Sequence, residues 1–342
     1  MSRKPAVTVA GGGVFGLTSA LALADAGCAV TVWDHADGNA SRMAAGMIGP
    51  VFEAVLDPVS RPHLDLMMTA RNLWPELAQR AGIVLDRSGA MAVGGEGWLD
   101  QVEARFGDLG LTPMALPPET AGALAPGLAV TGRRALLTRE DWRVDARPAL
   151  DRLAAAAAEA GVVFRRGAVP ERGGADILVV ATGWTPPHLA PELGWLAPIK
   201  GQLVRVNGLA EGAVVRGEGI YAAPGLDMVF GATMEPGLSD VDIDQSVVDP
   251  VLAAGLRLFP ALKDRSFKVQ AGIRAATPDG LPMVGPAAAP GVVLAAGARR
   301  NGWLLAPLVA RMVAAFVTDR DPGRYVAAFD PGRFGIHRGG GG

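Results

Sequence analysis

The chain has one cysteine, Cys28, and four histidines in 342 residues. A lone cysteine cannot close an intramolecular disulfide, and a reducing, cytoplasmic setting is expected. With the histidines scattered at His35, His63, His188 and His337, no cysteine–histidine metal centre can be assembled, and none is expected. Cys28 follows the first predicted helix and reads as a small buried residue rather than a reactive thiol. Neither sign of charge dominates: 32 Lys and Arg stand against 34 Asp and Glu, for a net charge of −2. Without a basic stripe or a lysine-rich tail, nucleic acid is not an expected partner. Long hydrophobic runs are missing as well. The most apolar late stretch, Trp303 to Val317, contains Arg311 and is too short for a bilayer, so it reads as a buried helix and no integral membrane insertion is expected. The first strand begins so early that no cleaved signal peptide is expected, and Arg338 with the four terminal glycines reads as a frayed tail.

What the chain has is apolar mass, 50% of residues, and 46 glycines. Its length suits two domains or one large α/β unit. Ala6-Val7-Thr8-Val9-Ala10 reads as a strand, Gly11-Gly12-Gly13-Val14-Phe15-Gly16 as a tight turn, and the run to Ala26 as a helix. A second strand, Ala29 to Val32, ends at Trp33-Asp34. In a G-x-G-x-x-G turn Gly11 allows the bend, Gly13 lets backbone approach a pyrophosphate, and Gly16 permits close helix packing. The helix start offers unpaired amides to phosphate. Asp34, eighteen positions after Gly16, is placed to accept from a ribose 2′-OH, and an acid there disfavours a 2′-phosphate. The pattern indicates a dinucleotide without separating FAD from NAD; the plainer alternative is glycines serving helix–strand packing alone.

Further along, Ser41 to Pro50 reads as a loop or helix start, and Pro62 to Ala81 carries helical spacing at Leu64, Met67, Met68, Leu73 and Leu77. Short strand-like pieces fall at Ile83–Leu85, Met91–Val93 and Leu136–Thr138, around a proline-rich stretch from Thr112 to Pro126. Ala146 to Ala160 predicts a helix, followed by a short strand at Val162–Phe164. Ala175 to Ala181 predicts a core strand running into Thr182-Gly183, whose end is expected to meet the cofactor, the alternative being an ordinary strand-to-turn junction. Sheet signals return at Gln202–Val206, Ala213–Val215, Tyr221–Ala223 and Met228–Ala232. A helix at 247–258 precedes strand signals at 267–271 and 272–276, the turn Pro278-Asp279-Gly280, and a last strand at Val292–Ala296.

Several separated blocks resemble the D-amino-acid oxidase superfamily, and most closely glycine oxidase of the thiamine-pathway type. They are the glycine turn, Ala44-Ala45-Gly46-Met47-Ile48-Gly49-Pro50, and Lys200-Gly201-Gln202. Then come Tyr221 with Gly231-Ala232-Thr233-Met234-Glu235, and Ala271-Gly272-Ile273-Arg274 leading to Thr277–Pro282. Arg300-Asn301-Gly302 before Leu304-Leu305-Ala306-Pro307 is the last. The resemblance implies FAD and an α/β fold with mixed sheet: a discontinuous Rossmann-like FAD-binding domain and a second, mostly antiparallel substrate-binding domain. The expected division is 1–82, 139–200 and 271–330 for FAD, 83–138 and 201–270 for substrate, and 331–342 as a flexible tail. Expected cofactor contacts are Gly11, Gly13, Val14, Phe15, Gly16, Asp34, Ala44, Ala45, Gly46, Met47, Val169, Thr182, Gly183, Arg274, Arg300, Asn301, Gly302, Trp303 and Leu304.

The implied reaction is oxidative deamination of glycine or a small D-amino acid, with sarcosine a further substrate, to a 2-oxo acid, ammonia or amine, and hydrogen peroxide. Arg274 is the expected carboxylate anchor, because a guanidinium fork matches a carboxylate and holds the α-carbon over the flavin; the alternative is a surface or interdomain ion pair. Tyr221 is expected to donate to the same carboxylate and wall the pocket, the alternative being simple sheet packing. Arg300 is read as contacting substrate or orienting the pocket, and Arg299 as external or structural. The helix start at Asn301-Gly302-Trp303 is expected to stabilise negative charge at the flavin N1–C2 edge, the alternative being a glycine-containing helix start that fills the core. Met47 reads as a flavin neighbour or core filler, Trp33 and Trp142 as packing, and Asp279 as turn chemistry. Ala222-Ala223-Pro224-Gly225 departs from the family's apolar-apolar-P-R, so a different pocket mouth is expected. Expected partners are a small amino acid, molecular oxygen and further copies of the chain. The competing functions are a dehydrogenase passing electrons to a quinone or carrier, and a non-catalytic FAD-binding protein.

Overall fold

A computed structural model describes residues 4–35, 39–129, 132–169, 174–184, 188–208 and 210–335. His337, Arg338 and the terminal glycines lie outside the described residues. The N-terminal third runs β1 (Ala6–Ala10), α1 (Val14–Asp25), β2 (Ala29–Asp34), α2 (Ala40–Met43), β3 (Met47–Ile48), α3 (Pro50–Leu56), α4 (Leu64–Asn72) and α5 (Trp74–Ala81). It continues through β4 (Ala90–Ala92), α6 (Glu96–Asp108), β5 (Met114–Leu116), α7 (Pro118–Leu124), β6 (Ala135–Thr138) and β7 (Trp142–Arg143). Then follow α8 (Ala146–Glu159), β8 (Val163–Arg166), β9 (Ile177–Val180), β10 (Ala197–Asn207), β11 (Val214–Gly217), β12 (Ile220–Ala223), β13 (Asp227–Gly231) and β14 (Glu235–Pro236). The chain closes with α9 (Gln245–Leu258), β15 (Phe267–Ala276), β16 (Met283–Pro286), β17 (Val292–Ala296), α10 (Gly302–Val317) and α11 (Val326–Phe329).

Six strands form one sheet in the order β16-β17-β9-β1-β2-β8, parallel except for the β16–β17 pair. The valine- and alanine-rich strands at its centre are buried on both faces, as parallel sheets require. The chain leaves β1 for β2 on one side and later lays β9 on the other. The crevice at the carboxyl ends of β1 and β9, where the order reverses, is where an open α/β sheet takes its ligand. This is a discontinuous Rossmann-like unit. The second sheet runs β14-β10-β13-β12-β11-β4-β6-β5, with β15 also paired to β10; it is antiparallel except where β11 meets β4.

Local chemistry accounts for several boundaries. Gly11 has φ +106°, and a Cβ there would run into the Ala181 carbonyl, so β1 can turn into α1 beside the end of β9 only with glycine. Within α10, Pro307 cannot donate to the carbonyl of Trp303 four residues earlier. The indole Nε1 of Trp74 takes that carbonyl at 3.0 Å, and the two tryptophan rings stack with centroids 6.0 Å apart. The apolar run at 303–317 is a buried helix packed on α1, as its composition predicts; among the described residues no helix is long and apolar enough to cross a membrane.

Three sequence expectations change. The helical spacing from Pro62 to Ala81 is not one helix: α4 stops at Asn72 and α5 restarts at Trp74-Pro75, where proline lacks the donor a continuing helix needs. Ile83–Leu85 alternates in burial but forms no strand; only an isolated bridge, Asp86 to Arg143, follows it. The two pieces at 267–271 and 272–276 are a single strand, β15, registered against β10 along its whole length. Cys28 is buried, and burial pushes its thiol up, away from reactivity.

Candidate active site

Against the second sheet, and walled also by α2–β3, α6 and the start of α10, lies a cavity of about 410 Å³. The segment through α2 and β3 supplies Ala44, Ala45, Gly46 and Met47, and the start of α10 supplies Asn301 and Trp303. The Trp303 indole donates to the Ser41 carbonyl at 3.0 Å, tying these two walls together. β10, β12, β13 and β15 supply Gly201, Tyr221, Gly231 and Arg274, and α6 supplies Trp98 and Arg105.

Arg274 reaches the cavity because the next pair along its face of the sheet, Gly201 and Gly272, has no side chains. Gly201 and Gly272 face each other across β10 and β15, and a Cβ on Gly201 would sit inside the Arg274 guanidinium. On the adjoining strands Tyr221 pairs with Gly231, where a Cβ would stand 2.7 Å from the tyrosine hydroxyl. Both side chains therefore lie flat over glycine and converge on the cavity. Arg274 donates to the Thr233 carbonyl at 3.2 Å and lies 3.4 Å from the Met234 sulfur; it has no carboxylate partner among the described residues. Burial pulls its guanidinium below the ordinary arginine value, yet arginine stays charged at any physiological pH. Burial raises the Tyr221 phenol, overriding the nearby Arg274 and Arg216 charges, so its hydroxyl keeps its proton and can donate.

The residues around Arg274 explain the Lys200-Gly201-Gln202 block. Gln202 is fully buried; its amide holds Glu235 at 3.0 Å, and its backbone N–H donates to the Thr233 hydroxyl at 2.8 Å. Thr233 in turn donates to Glu235. This fixes the turn whose carbonyl receives Arg274. Lys200 pairs with Asp240 at 2.5 Å.

Arg300 is in the cavity wall but is engaged in an ion pair. Its Nε and Nη2 donate to the two oxygens of Glu53 at 2.6 and 3.1 Å, and Arg216 reaches the same carboxylate at 3.2 Å. Burial works to raise the Glu53 carboxyl, and the two guanidiniums overcome it, leaving it below the usual range. Arg300 thus has a partner that sequence reading missed: a glutamate inside the apolar run Val51–Leu56 gives no local sign of the arginines it meets. Asp141, also missed, accepts from the Val51 and Phe52 amides at 2.8 and 3.0 Å. Burial pushes its carboxyl up to about 6 against the pull of Arg216 and those amides. Arg299 is structural, pairing with Asp57, and Asp279 is turn chemistry, accepting from Leu281 N–H and pairing with Arg333.

The remaining candidates stand at the crevice or behind it. Gly11, Gly13, Val14, Phe15 and Gly16 shape the β1–α1 turn, and the Val14 amide donates to Ser41 Oγ at 3.0 Å. Asp34 ends β2 and lies against Gly12, Thr182-Gly183 follows β9, and Gly302 and Leu304 stand in the first turn of α10. Val169 lies beyond β8, half-buried against a cluster with Trp184 and Leu189, and does not line the cavity. Trp142 carries the guanidiniums of Arg71 and Arg87 on its ring, at 4.2 and 4.5 Å. The residues fit a bound dinucleotide on one direct observation: Thr182 Oγ1 is buried at the crevice with no partner among the described residues, beside a glycine turn opening a helix.

A mostly parallel Rossmann-like sheet joined to a second, mostly antiparallel sheet, with a basic cavity against the second sheet closed by the start of α10, defines a two-part nucleotide-dependent oxidoreductase architecture. Residues 6–316 match the family model of DAO, FAD dependent oxidoreductase, and the chain belongs to that family. It is 29% identical to glycine oxidase of Pseudomonas aeruginosa, over 92% of this chain and 95% of that one. It is 30% identical to the bifunctional protein ThiO/ThiG of a Synechocystis strain, covering 98% of this chain but 55% of the relative, so the chain spans about half the length of the bifunctional relatives it matches. The crystal structure of glycine oxidase from Geobacillus kaustophilus superposes with a TM-score of 0.78 at 28% identity, covering 99% of this chain and 100% of that one.

Proposed function

We propose that the protein is an FAD-dependent amino-acid oxidase acting on glycine, sarcosine or small D-amino acids. The observation that carries this reading is Arg274: a half-buried cation in the cavity, laid over glycine, with no carboxylate partner among the described residues, while Arg216 and Arg300 share Glu53. The glycine turn, Asp34 and Thr182-Gly183 would hold the dinucleotide part of FAD, and Ala44–Met47 with Asn301–Leu304 the flavin end. Bound FAD would supply the two-electron acceptor and hand the electrons to oxygen, giving hydrogen peroxide.

The chain's own residues bind and orient. Arg274 forms a bidentate pair with the substrate carboxylate, and Tyr221 donates to the same group, which fixes the α-carbon. The cavity wall offers no neutral imidazole or unpaired carboxylate as a base, Glu53 being held by two arginines. The substrate amine therefore loses its proton before reaction, and water hydrolyses the resulting imine to 2-oxo acid and ammonia or amine. The chain's lone buried cysteine accords with a cytoplasmic setting.

The test is an anaerobic visible-spectrum titration of the FAD-loaded protein with glycine, sarcosine, D-alanine and D-proline. Bleaching of the oxidised flavin band is expected and ranks the substrates. A yellow protein that no amine reduces would remove the oxidase reading.

A further inference from the structure

The cavity holds more positive charge than one substrate carboxylate needs. Four arginines line it, Arg105, Arg216, Arg274 and Arg300, against one carboxylate, Glu53. Glu53 accounts for Arg216 and Arg300. Arg274 has only a carbonyl and a sulfur, and Arg105 has no hydrogen bond or ion pair among the described residues.

Arg105 enters from a different wall. It stands two turns after Trp98 on α6, so the pair share a face, and both line the cavity. The adjoining face of α6, Leu99, Val102 and Phe106, is buried, and Phe106 meets Phe52 edge-on with centroids 5.5 Å apart. That contact seats α6 against α3, the helix bearing Glu53. Arg105 is thus a half-exposed guanidinium carried on a packed helix, aimed at the cavity that also contains Arg274.

We propose that Arg105 is a second carboxylate-binding residue, and that the substrate is an amino dicarboxylate held between Arg274 and Arg105. The inference rests on the amine-oxidase reading and narrows its substrate class. Two guanidiniums without counter-ions are matched by two carboxylates, whereas a monocarboxylate leaves one of them uncompensated. The second carboxylate sits either on the side chain, as in D-aspartate, or on the amine nitrogen, as in N-(carboxymethyl)glycine.

Binding is measured first, by calorimetric titration of the FAD-loaded protein with succinate and with butyrate, which have equal chain length and differ by one carboxylate. Succinate is expected to bind about 10-fold or more tightly, the difference collapsing in Arg105→Ala, partly kept in Arg105→Lys, and unchanged in Arg152→Ala on the exposed side of α8. Equal affinities, or a difference that survives Arg105→Ala, overturn the proposal. Anaerobic flavin reduction separates it from the parent reading. A higher kcat/KM for D-aspartate than D-alanine, or for N-(carboxymethyl)glycine than glycine, supports it and locates the second carboxylate. Equal kcat/KM within both pairs overturns it while leaving amine oxidation intact. A succinate preference in a protein that no amine reduces supports the second anion site and sinks the oxidase.

Discussion

Arg274 and Arg300 line the same cavity, and what separates them is the company each keeps. Arg300 is bound to Glu53, so its charge is spent on holding α3 against the start of α10; Arg274 is answered only by a carbonyl and a sulfur. Arg274→Ala is therefore expected to raise KM for a good substrate by about 10- to 100-fold with a smaller loss in kcat, the scale of a hydrogen-bonded charge. Gly201→Ala should give the same KM defect with Arg274 still present, because the new methyl occupies the guanidinium's place. Steady-state kinetics of both variants check this, and an unchanged kcat/KM in either sinks the assignment. That Arg274 and Tyr221 line one cavity was legible in the sequence because each falls in a block with recognisable neighbours. The reason their partners are Gly201 and Gly231 was not legible, since it depends on cross-strand register between segments far apart in the chain. Glu53, Asp141 and Arg105 were missed for a related cause: a charge inside an apolar or amphipathic run declares its partner only after folding.

At the scale of elements, two devices lend themselves to measurement. Trp74→Phe removes the one side-chain donor, among the described residues, to the carbonyl that Pro307 leaves behind, and a loss of about 1–2 kcal/mol of stability is expected from chemical denaturation. In a Pro307→Ala background, which restores the backbone donor, the same substitution should cost much less; equal costs in both backgrounds would refute the pairing. Asp141, at the start of α3, provides a pH signature. Its folded value near 6 lies above the ordinary carboxylate value, so the folded state holds the proton more tightly. Its contribution to stability is then greatest below about pH 4 and is lost as pH rises through about 6. The stability of wild type relative to Asp141→Asn should fall by about 2 kcal/mol between about pH 4 and pH 6.5, at 1.36 kcal/mol per pH unit. A difference that does not vary with pH would count against it. Strands at the sheet centre were legible as β-branched runs, and α8 and α10 as long apolar spacings. The failures were local: Pro75 broke a helical pattern, and Ile83–Leu85 alternated without a neighbouring strand to bond.

At the scale of the whole molecule, the Rossmann-like sheet gathers β1 and β2 from one end of the chain, β8 and β9 from its middle, and β16 and β17 from the other end. A ligand in the crevice would touch all three regions, and FAD at about 100 times its Kd should raise stability by about 2.7 kcal/mol. Thermal melts with and without FAD check this; a Tm that FAD does not move would count against the cofactor reading. That the sheet is discontinuous was legible from the order of motifs, because the glycine turn, the Thr182-Gly183 strand end and the Arg300-Asn301-Gly302 block each mark one return to it. How β4, β5 and β6 join the later strands across the β11–β4 seam was not, because parallel pairing of short strands leaves no turn signal between them.

The late arrival of β17 also bears on how the protein is made. It docks beside β9 more than a hundred residues after β9 has left the ribosome, and α10, which covers α1, comes later still. While the residues between β9 and β17 are being made, the nascent chain therefore carries a valine-rich strand with one edge bare, ready to pair with any other strand it meets. Shielding of that edge by a chaperone until the last sixth of the chain emerges would set the yield of native protein, and a stall before β17 would send the chain to aggregation or proteolysis instead of to a smaller working enzyme.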